Sequence, residues 1–300
     1  MDHARLDCVV VGGGPAGLTA ALYLARFRLN VRLYDEGHSR AALIPLTRNL
    51  AGFPEGIAGT DLLARMRYHA VRYGADLKPG RVEGLTRQAD SFQLMVGGEA
   101  VEAHTVLLAT GVTNRRPPMD EAFHTEALAT GRVRYCPVCD GYEVIDKAVA
   151  VIGTGEHAVR ETAFLRSYTA RLTLIAPVGP HALADDDRAR LAQMGVAVRD
   201  GPSAGFRLED DGIVVETPDG SLMFDAVYPA MGSHIHSALA LAAGATMDDQ
   251  GCIRVDAHQR TSIAGLYAAG DVVAGLDQIV HATGEAAVAA TTIRNDLASD

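Results

Sequence analysis

Two cysteines three positions apart stand in the run Tyr135-Cys136-Pro137-Val138-Cys139-Asp140-Gly141. A CxxC pair can close a small redox-active disulfide, hold half of a zinc site, or be two buried thiols. Zinc needs more ligands than this pair supplies. The remaining cysteines, Cys8 and Cys252, are solitary and lie in or beside expected strands, so they read as small buried hydrophobes and no metal site is expected. Asp140 follows the pair directly. A carboxyl beside a dithiol can carry the proton that thiol–disulfide exchange releases or takes up; the other reading is an ordinary turn residue in Asp140-Gly141.

A second chemistry lies near the start. Leu6–Val11 reads as an apolar strand running into Gly12-Gly13-Gly14-Pro15-Ala16-Gly17, and Leu18–Phe27 has helical composition. A second strand, Val31–Tyr34, ends in Asp35-Glu36, which completes a βαβ unit of about 30 residues. In such a turn the first glycine allows the tight bend, the second lets backbone approach a pyrophosphate, and the third lets helix and strand pack closely. Gly12, Gly14 and Gly17 occupy those places, and Asp35 is the candidate acceptor for ribose hydroxyls.

The plan returns mid-chain. Ala148–Ile152 leads into Gly153-Thr154-Gly155-Glu156-His157-Ala158, then a helical Val159–Tyr168 and the strand Leu172–Ile175. Val101–Leu108 is a further strand ending in Ala109-Thr110-Gly111, and Gly265–Ala269 is another, ending in Gly270-Asp271 before a small-residue helix from about Gln278 to Leu297. The expected fold class is therefore α/β with two Rossmann-like domains of the FAD/NAD(P)-binding kind.

Composition narrows the partners. The 300 residues are 48% hydrophobic, enough for a sizeable core, and the formal charge of -10 argues against nucleic acid or an anionic membrane surface. No apolar run approaches the roughly 18 residues of a membrane span, and a cytoplasmic setting is expected.

Taken in order, the flavin-type glycine turn, Tyr135–Gly141, the second GxGxxA turn and Ala268-Ala269-Gly270-Asp271 resemble the low-molecular-weight thioredoxin reductase family over nearly the whole chain. The resemblance implies an FAD domain built from residues 1–117 and 247–300, with a pyridine-nucleotide-type domain, 118–246, inserted into it and carrying the CxxC. It also implies a homodimer and a rotation of the inserted domain between two orientations. By the same resemblance FAD would be held by Gly12, Gly14, Pro15, Ala16, Gly17, Asp35, Asn49, Ala109, Thr110, Gly111, Gly270, Asp271, Gln278 and Ile279. Cys139 would meet the flavin, Cys136 would attack the partner disulfide, and Asp140 would be the general acid.

Three stretches depart from that family. Where it carries an arginine-rich run for the 2′-phosphate of NADPH, this chain reads Ala176-Pro177-Val178-Gly179-Pro180, with no arginine until Arg188 and no strand-end acid to select NADH. Asp277-Gln278 stands for an Arg-Gln pair, and His38-Ser39-Arg40 replaces a glycine-rich loop. The second glycine turn is thus either a nucleotide site or a turn retained for packing. His281, one helical turn beyond Asp277, is either a proton-exchange partner of the dithiol or a packing residue, and His234 and His236 are weaker candidates.

Three functions follow. The first is an FAD-dependent reductase of thioredoxin or a similar disulfide, with NADPH uncertain as donor and a protein such as ferredoxin in its place. The second is a dithiol oxidase that forms disulfides in small molecules and passes electrons to oxygen. The third is a non-catalytic FAD-binding redox sensor.

Overall fold

The computed structural model describes residues 5–203 and 205–299. Contacts divide the chain into two compact units, the first comprising Met1–Ile44, Ile57–Thr113 and Ile235–Asp300, the second Pro45–Gly56 and Asn114–His234.

Along the chain the first unit begins with β1 (Leu6–Val11), α1 (Pro15–Arg26), β2 (Val31–Asp35), α2 (Gly59–Arg72) and β3 (Asp76–Pro79). It continues with β4 (Val82–Arg87), β5 (Phe92–Val96), β6 (Glu99–Leu108) and β7 (Val112–Asn114). In the second unit follow α3 (Glu121–Ala129), the short α4 (Pro137–Asp140), β8 (Val149–Ile152), α5 (Gly155–Leu165), β9 (Leu172–Ile175), α6 (Asp185–Gln193) and β10 (Ala197–Arg199). Then come β11 (Phe206–Glu209), β12 (Gly212–Thr217), β13 (Gly220–Phe224), β14 (Ala226–Pro229) and β15 (Ser233–Ile235). The chain closes in the first unit with α7 (Ala238–Ala242), β16 (Leu266–Ala268) and α8 (Ile279–Leu297).

The first unit is a seven-stranded sheet in the order β3-β2-β1-β6-β5-β4, with β16 also paired to β6. Its strands β3-β2-β1-β6-β16 are parallel, and the central ones, β1, β16 and the C-terminal half of β6, are covered on both faces and read as apolar runs, whereas the edge strand β3, Asp76–Pro79, does not. Along β1 the side chains alternate: Cys8 and Val10 join the core under α1 and α8, while Val9 and Val11 join the opposite core with Val106, Leu108, Ile253 and Leu266. Alanines set the spacing on the helical side, where Ala20 and Ala21 of α1 and Ala286, Ala289 and Ala290 of α8 are fully buried. Ala240 and Ala245 pack in the opposite core, so α7 belongs to this unit.

The second unit holds a parallel sheet, β10-β9-β8-β14, and an antiparallel meander, β11-β12-β13. Val151, Val159, Leu165, Leu174 and Leu191 form one core beneath α5 and α6. Ile152, Ile175 and Val227 form another with Ile213, Val215 and Phe224 of the meander. Both helices that follow the glycine turns begin earlier than their apolar pattern suggests, at Pro15 and Gly155, because the first turn of each is built from the glycine motif itself. The chain passes between units at Ile44/Pro45, Gly56/Ile57, Thr113/Asn114 and His234/Ile235, and the last two crossings lie in a two-stranded ribbon of β7 and β15.

Candidate functional site: a dinucleotide cradle and a redox disulfide

At the end of β1 the backbone turns through Gly12, whose φ is +109°, and the Gly12 N–H donates to the Tyr34 carbonyl at 2.8 Å. The space is tight. A Cβ at Gly12 would lie 2.3 Å from the Ala109 carbonyl oxygen, and one at Gly17 would lie 1.9 Å from the Gly12 carbonyl oxygen. Gly14 is different: its nearest foreign atom is the Ser39 hydroxyl at 3.3 Å, so this is the glycine with open space before it. Gly14 is also the N-cap of α1, with no side-chain cap and no acid in the first turn, which leaves N–H groups and the positive end of the helix dipole facing outward. These features fit a pyrophosphate.

Asp35, at the end of β2, accepts from the Gly13 N–H at 3.2 Å and the Gly37 N–H at 3.1 Å through Oδ1, and Arg67 of α2 pairs with Oδ2. The carboxylate therefore locks the turn while Oδ2 keeps a lone pair for a ribose hydroxyl. Gly270 closes the far side, since a Cβ there would lie 2.9 Å from the Ala16 methyl. The unit thus assembles Gly12–Gly17, Asp35, Ala109–Gly111, Gly270 and Asp271. The segment of Asn49, Pro45–Gly56, groups with the second unit, where Arg48 stands 3.8 Å from Glu143.

Asp271 sits in an acidic corner. Burial pushes its carboxyl above the usual carboxylate range and Asp277 adds to the push, while Arg40 opposes both by pairing with Asp271 at 3.1 Å and Asp277 at 2.6 Å. Gln278 is the N-cap of α8 and nearly buried, with Ile279 the first helical residue. His281 reaches forward along the helix to Glu285, Nε2 to Oε1 3.0 Å, and the other oxygen of Glu285 accepts the Gly270 N–H at 2.7 Å. Gly275 makes room for that imidazole, because a Cβ there would lie 2.7 Å from Nε2. Burial raises the Glu285 carboxyl as well.

In the second unit Cys136 and Cys139 form a disulfide, their Cα atoms 5.2 Å apart. Cys136 caps α4, its Sγ accepting the Cys139 N–H at 3.1 Å, and Pro137 starts the helix. Asp140 ends the same turn. Its Oδ1 accepts from the Tyr228 hydroxyl at 2.7 Å and its Oδ2 from Arg134 at 3.0 Å. Burial dominates and raises its carboxyl, with Arg134 and Tyr228 pulling the other way. Tyr135 is tied through its hydroxyl to His124 at 2.8 Å, and burial pushes its phenol up to about 12. Cys8 is fully buried, its thiol pushed up to about 12 by burial, and takes no part.

The second glycine turn keeps the packing of the first. A Cβ at Gly153 would lie 2.5 Å from the Ala230 carbonyl oxygen, and Ala158 is fully buried beneath it. Around it several polar groups bond to the protein itself, while the N-cap of α5, Thr154, makes no side-chain cap and His181 Nδ1 is buried without a partner among the described residues. The Thr154 hydroxyl donates to the Ala182 carbonyl at 3.4 Å, the His181 N–H to Asp200 at 2.9 Å, and Arg188 to the His181 carbonyl at 3.0 Å. Ile175 and Ala176, at the strand end, are buried and apolar. His234 lies in β15, and His236 accepts or donates at Thr113 over 2.8 Å.

Arg67, Glu285, Arg134 and Tyr228 lie outside every sequence motif, and Arg40 belongs only to a stretch that departs from the family. The spacing of Glu285 one turn after His281 was a usable signal; the others are brought in by tertiary folding. Among the described residues no group of three or more His, Cys, Asp or Glu could hold a metal ion, and no helix is long and apolar enough to cross a membrane.

The pyridine nucleotide-disulphide oxidoreductase family matches residues 6–286. The thioredoxin reductase of Mycolicibacterium smegmatis is 31% identical over 283 residues, covering 89% of this chain and 88% of the relative. Among solved structures, the thioredoxin reductase from Streptococcus pyogenes MGAS5005 superposes with a TM-score of 0.90 at 27% identity, covering both chains fully. HlmI superposes with a TM-score of 0.89 at 29% identity over all of this chain and 94% of its own.

Proposed function

The chain belongs to the pyridine nucleotide-disulphide oxidoreductases and is a thioredoxin reductase-like, FAD-dependent disulfide oxidoreductase, and from that premise we propose that its electron donor is not NADPH. On this reading electrons pass through FAD to Cys136–Cys139 and on to thioredoxin or a similar disulfide. Bound FAD supplies a centre that takes or gives an electron pair. The protein supplies the rest: the N–H groups at the start of α1 hold the pyrophosphate, Asp35 the ribose, and Arg40 keeps Asp271 and Asp277 compatible with each other beside the cofactor. Cys139 is assigned to the flavin and Cys136 to the partner, with Asp140 holding the exchange proton. The assembly is a homodimer, and the cytoplasm, where thiols stay reduced, is its compartment.

The single observation that carries the donor assignment is the loop after β9. Val178 is 75% exposed with no cation beside it in sequence, Arg188 is committed to a backbone carbonyl, and Asp185, Asp186 and Asp187 crowd the first turn of α6. A 2′-phosphate carries about two negative charges and needs bidentate cations, and the loop itself offers none. A protein donor such as ferredoxin that reaches the flavin directly needs no such pocket.

Anaerobic titration of the yellow holoenzyme with NADPH and then NADH tests this. No flavin bleaching with either nucleotide, and full bleaching with dithionite, is the expected result; bleaching by stoichiometric NADPH within seconds overturns it. A second reading, a dithiol oxidase, is favoured by the His281–Glu285 pair, a proton acceptor one turn into α8. Rapid flavin reduction by a small dithiol followed by reoxidation in oxygen would select it. Family membership sets the non-catalytic sensor aside.

A further inference from the structure

The geometry around Asp140 points to Oδ1 as the atom that stores the exchange proton, with Tyr228 as its hydroxyl partner and Arg134 as the positioning residue that keeps Oδ2 unprotonated. The inference rests on the assignment of Asp140 as proton carrier and goes beyond it, because it names the atom and the two residues that govern it.

The two oxygens of Asp140 have unlike neighbours. Oδ2 faces the guanidinium of Arg134 at 3.0 Å, and a guanidinium has donors only, so a proton on Oδ2 would confront N–H groups with nothing to accept it. Oδ1 faces a hydroxyl, which can both give and accept. The Tyr228 oxygen lies 2.7 Å from Oδ1 and 3.3 Å from the Asp140 backbone carbonyl. With the carboxylate ionised, the hydroxyl donates to Oδ1. With Oδ1 protonated, the hydroxyl turns its own proton to the backbone carbonyl and accepts from Oδ1. No heavy atom has to move, and burial keeps the phenol itself from ionising by raising its pKa.

Arg134 is aimed by its own short loop. Its Nε donates to the Gly131 carbonyl at 2.9 Å, its backbone N–H to the Val227 carbonyl at 2.9 Å, and Gly131, with φ +67°, leaves the room that a Cβ would take, 2.7 Å from one guanidinium nitrogen. Among the described residues Glu143 also acts on Asp140, opposing its ionisation; Arg48 stands beside Glu143, and the Tyr168 ring lies against the neighbouring Gly141.

The proton balance is that of thiol–disulfide exchange. An attacking thiol gives its proton to Oδ1 as its sulfur forms the new S–S bond; the old S–S bond breaks, and the departing sulfur takes the proton from Oδ1. One dithiol becomes a disulfide, one disulfide becomes a dithiol, and Asp140 returns to its starting state.

The test uses holoenzyme variants and two measurements: the pH–rate profile for reduction of a model disulfide, and the ¹³C carboxyl titration of Asp140 in protein carrying labelled aspartate, assigned by its disappearance in Asp140→Asn. Arg134→Met should move the acid limb and the ¹³C midpoint of Asp140 together to higher pH by about 1 to 2 units, the shift expected when an opposite charge is removed. Arg134→Lys should restore most of it. Tyr228→Phe should slow turnover across the whole profile, by roughly tenfold or more, because the acceptor for the Oδ1 proton is gone. If Asp140→Asn abolishes exchange while Arg134→Met leaves both midpoints in place, the positioning role is overturned and the assignment of Asp140 stands. If Asp140→Asn exchanges at the wild-type rate, the assignment of Asp140 itself falls.

Discussion

The chain builds the same strand, glycine turn and helix twice, and only the first turn has a carboxylate at the end of its second strand. In the first, Gly17 and Gly12 meet so closely that no side chain fits, and β2 ends in Asp35, whose carboxylate grips Gly13. In the second, Gly153 packs as tightly against the Ala230 carbonyl, yet β9 ends in buried Ile175 and Ala176, and Thr154 and Arg188 bond to backbone carbonyls. Close packing of helix on strand is thus a property of the fold, and phosphate or ribose recognition is added at the strand ends. A glycine motif reports the first more surely than the second.

The largest test of that contrast is a valine at each packing glycine. Gly17→Val must displace the Gly12 carbonyl, so the purified protein should lose nearly all its flavin absorbance. Gly153→Val should destabilise the second unit by about 2 to 4 kcal/mol, read as a lower melting transition, while flavin per chain stays at the wild-type level. Equal flavin loss in both variants would break the comparison.

A middle-sized effect should follow Arg40→Met. Arg40 opposes the upward push on Asp271, so its loss raises that carboxyl further. A carboxyl whose folded pKa is raised contributes stability while protonated and loses it as pH rises through that pKa. The variant's deficit against wild type should therefore be full at neutral pH, about 1 to 3 kcal/mol, and shrink as pH falls through the raised Asp271 range, as thermal melts at stepped pH would show.

The smallest effect sharpens the other side. Val178→Arg places one cation on the exposed loop after β9 and should strengthen NADPH binding over NADH by only about fivefold, or about 1 kcal/mol, measured by fluorescence quenching. A single cation that restored rapid flavin bleaching would mean the second turn had never lost its ligand.

Much of this was legible in the residues. The strands β1, β2, β8 and β9 and both glycine turns are local patterns of apolar runs and turn residues, and the Cys136–Cys139 spacing declares itself. The antiparallel meander β11-β12-β13 carries a weaker signal, since its strands mix exposed and buried positions on short segments. At the site, Asp140 was legible because it adjoins Cys139, whereas Tyr228 lies 88 positions away and Arg40 lies 231 positions from Asp271. Such partners are fixed by how strands are ordered in a sheet, and no window of sequence contains them. Arg40 also shows how a departure misleads: His38-Ser39-Arg40 looks like a lost loop, but its arginine joins the two aspartates that the altered Asp277-Gln278 brings together.

The crossings at Thr113/Asn114 and His234/Ile235 share the β7/β15 ribbon. Neighbouring strands run about 5 Å apart, so the ends of the intervening segment leave the first unit side by side. In gene-design terms residues 114–234 form a cassette: a short turn could rejoin Thr113 to Ile235 without reordering the parent sheet, and Pro45–Gly56, which groups with the cassette, would have to be exchanged along with it.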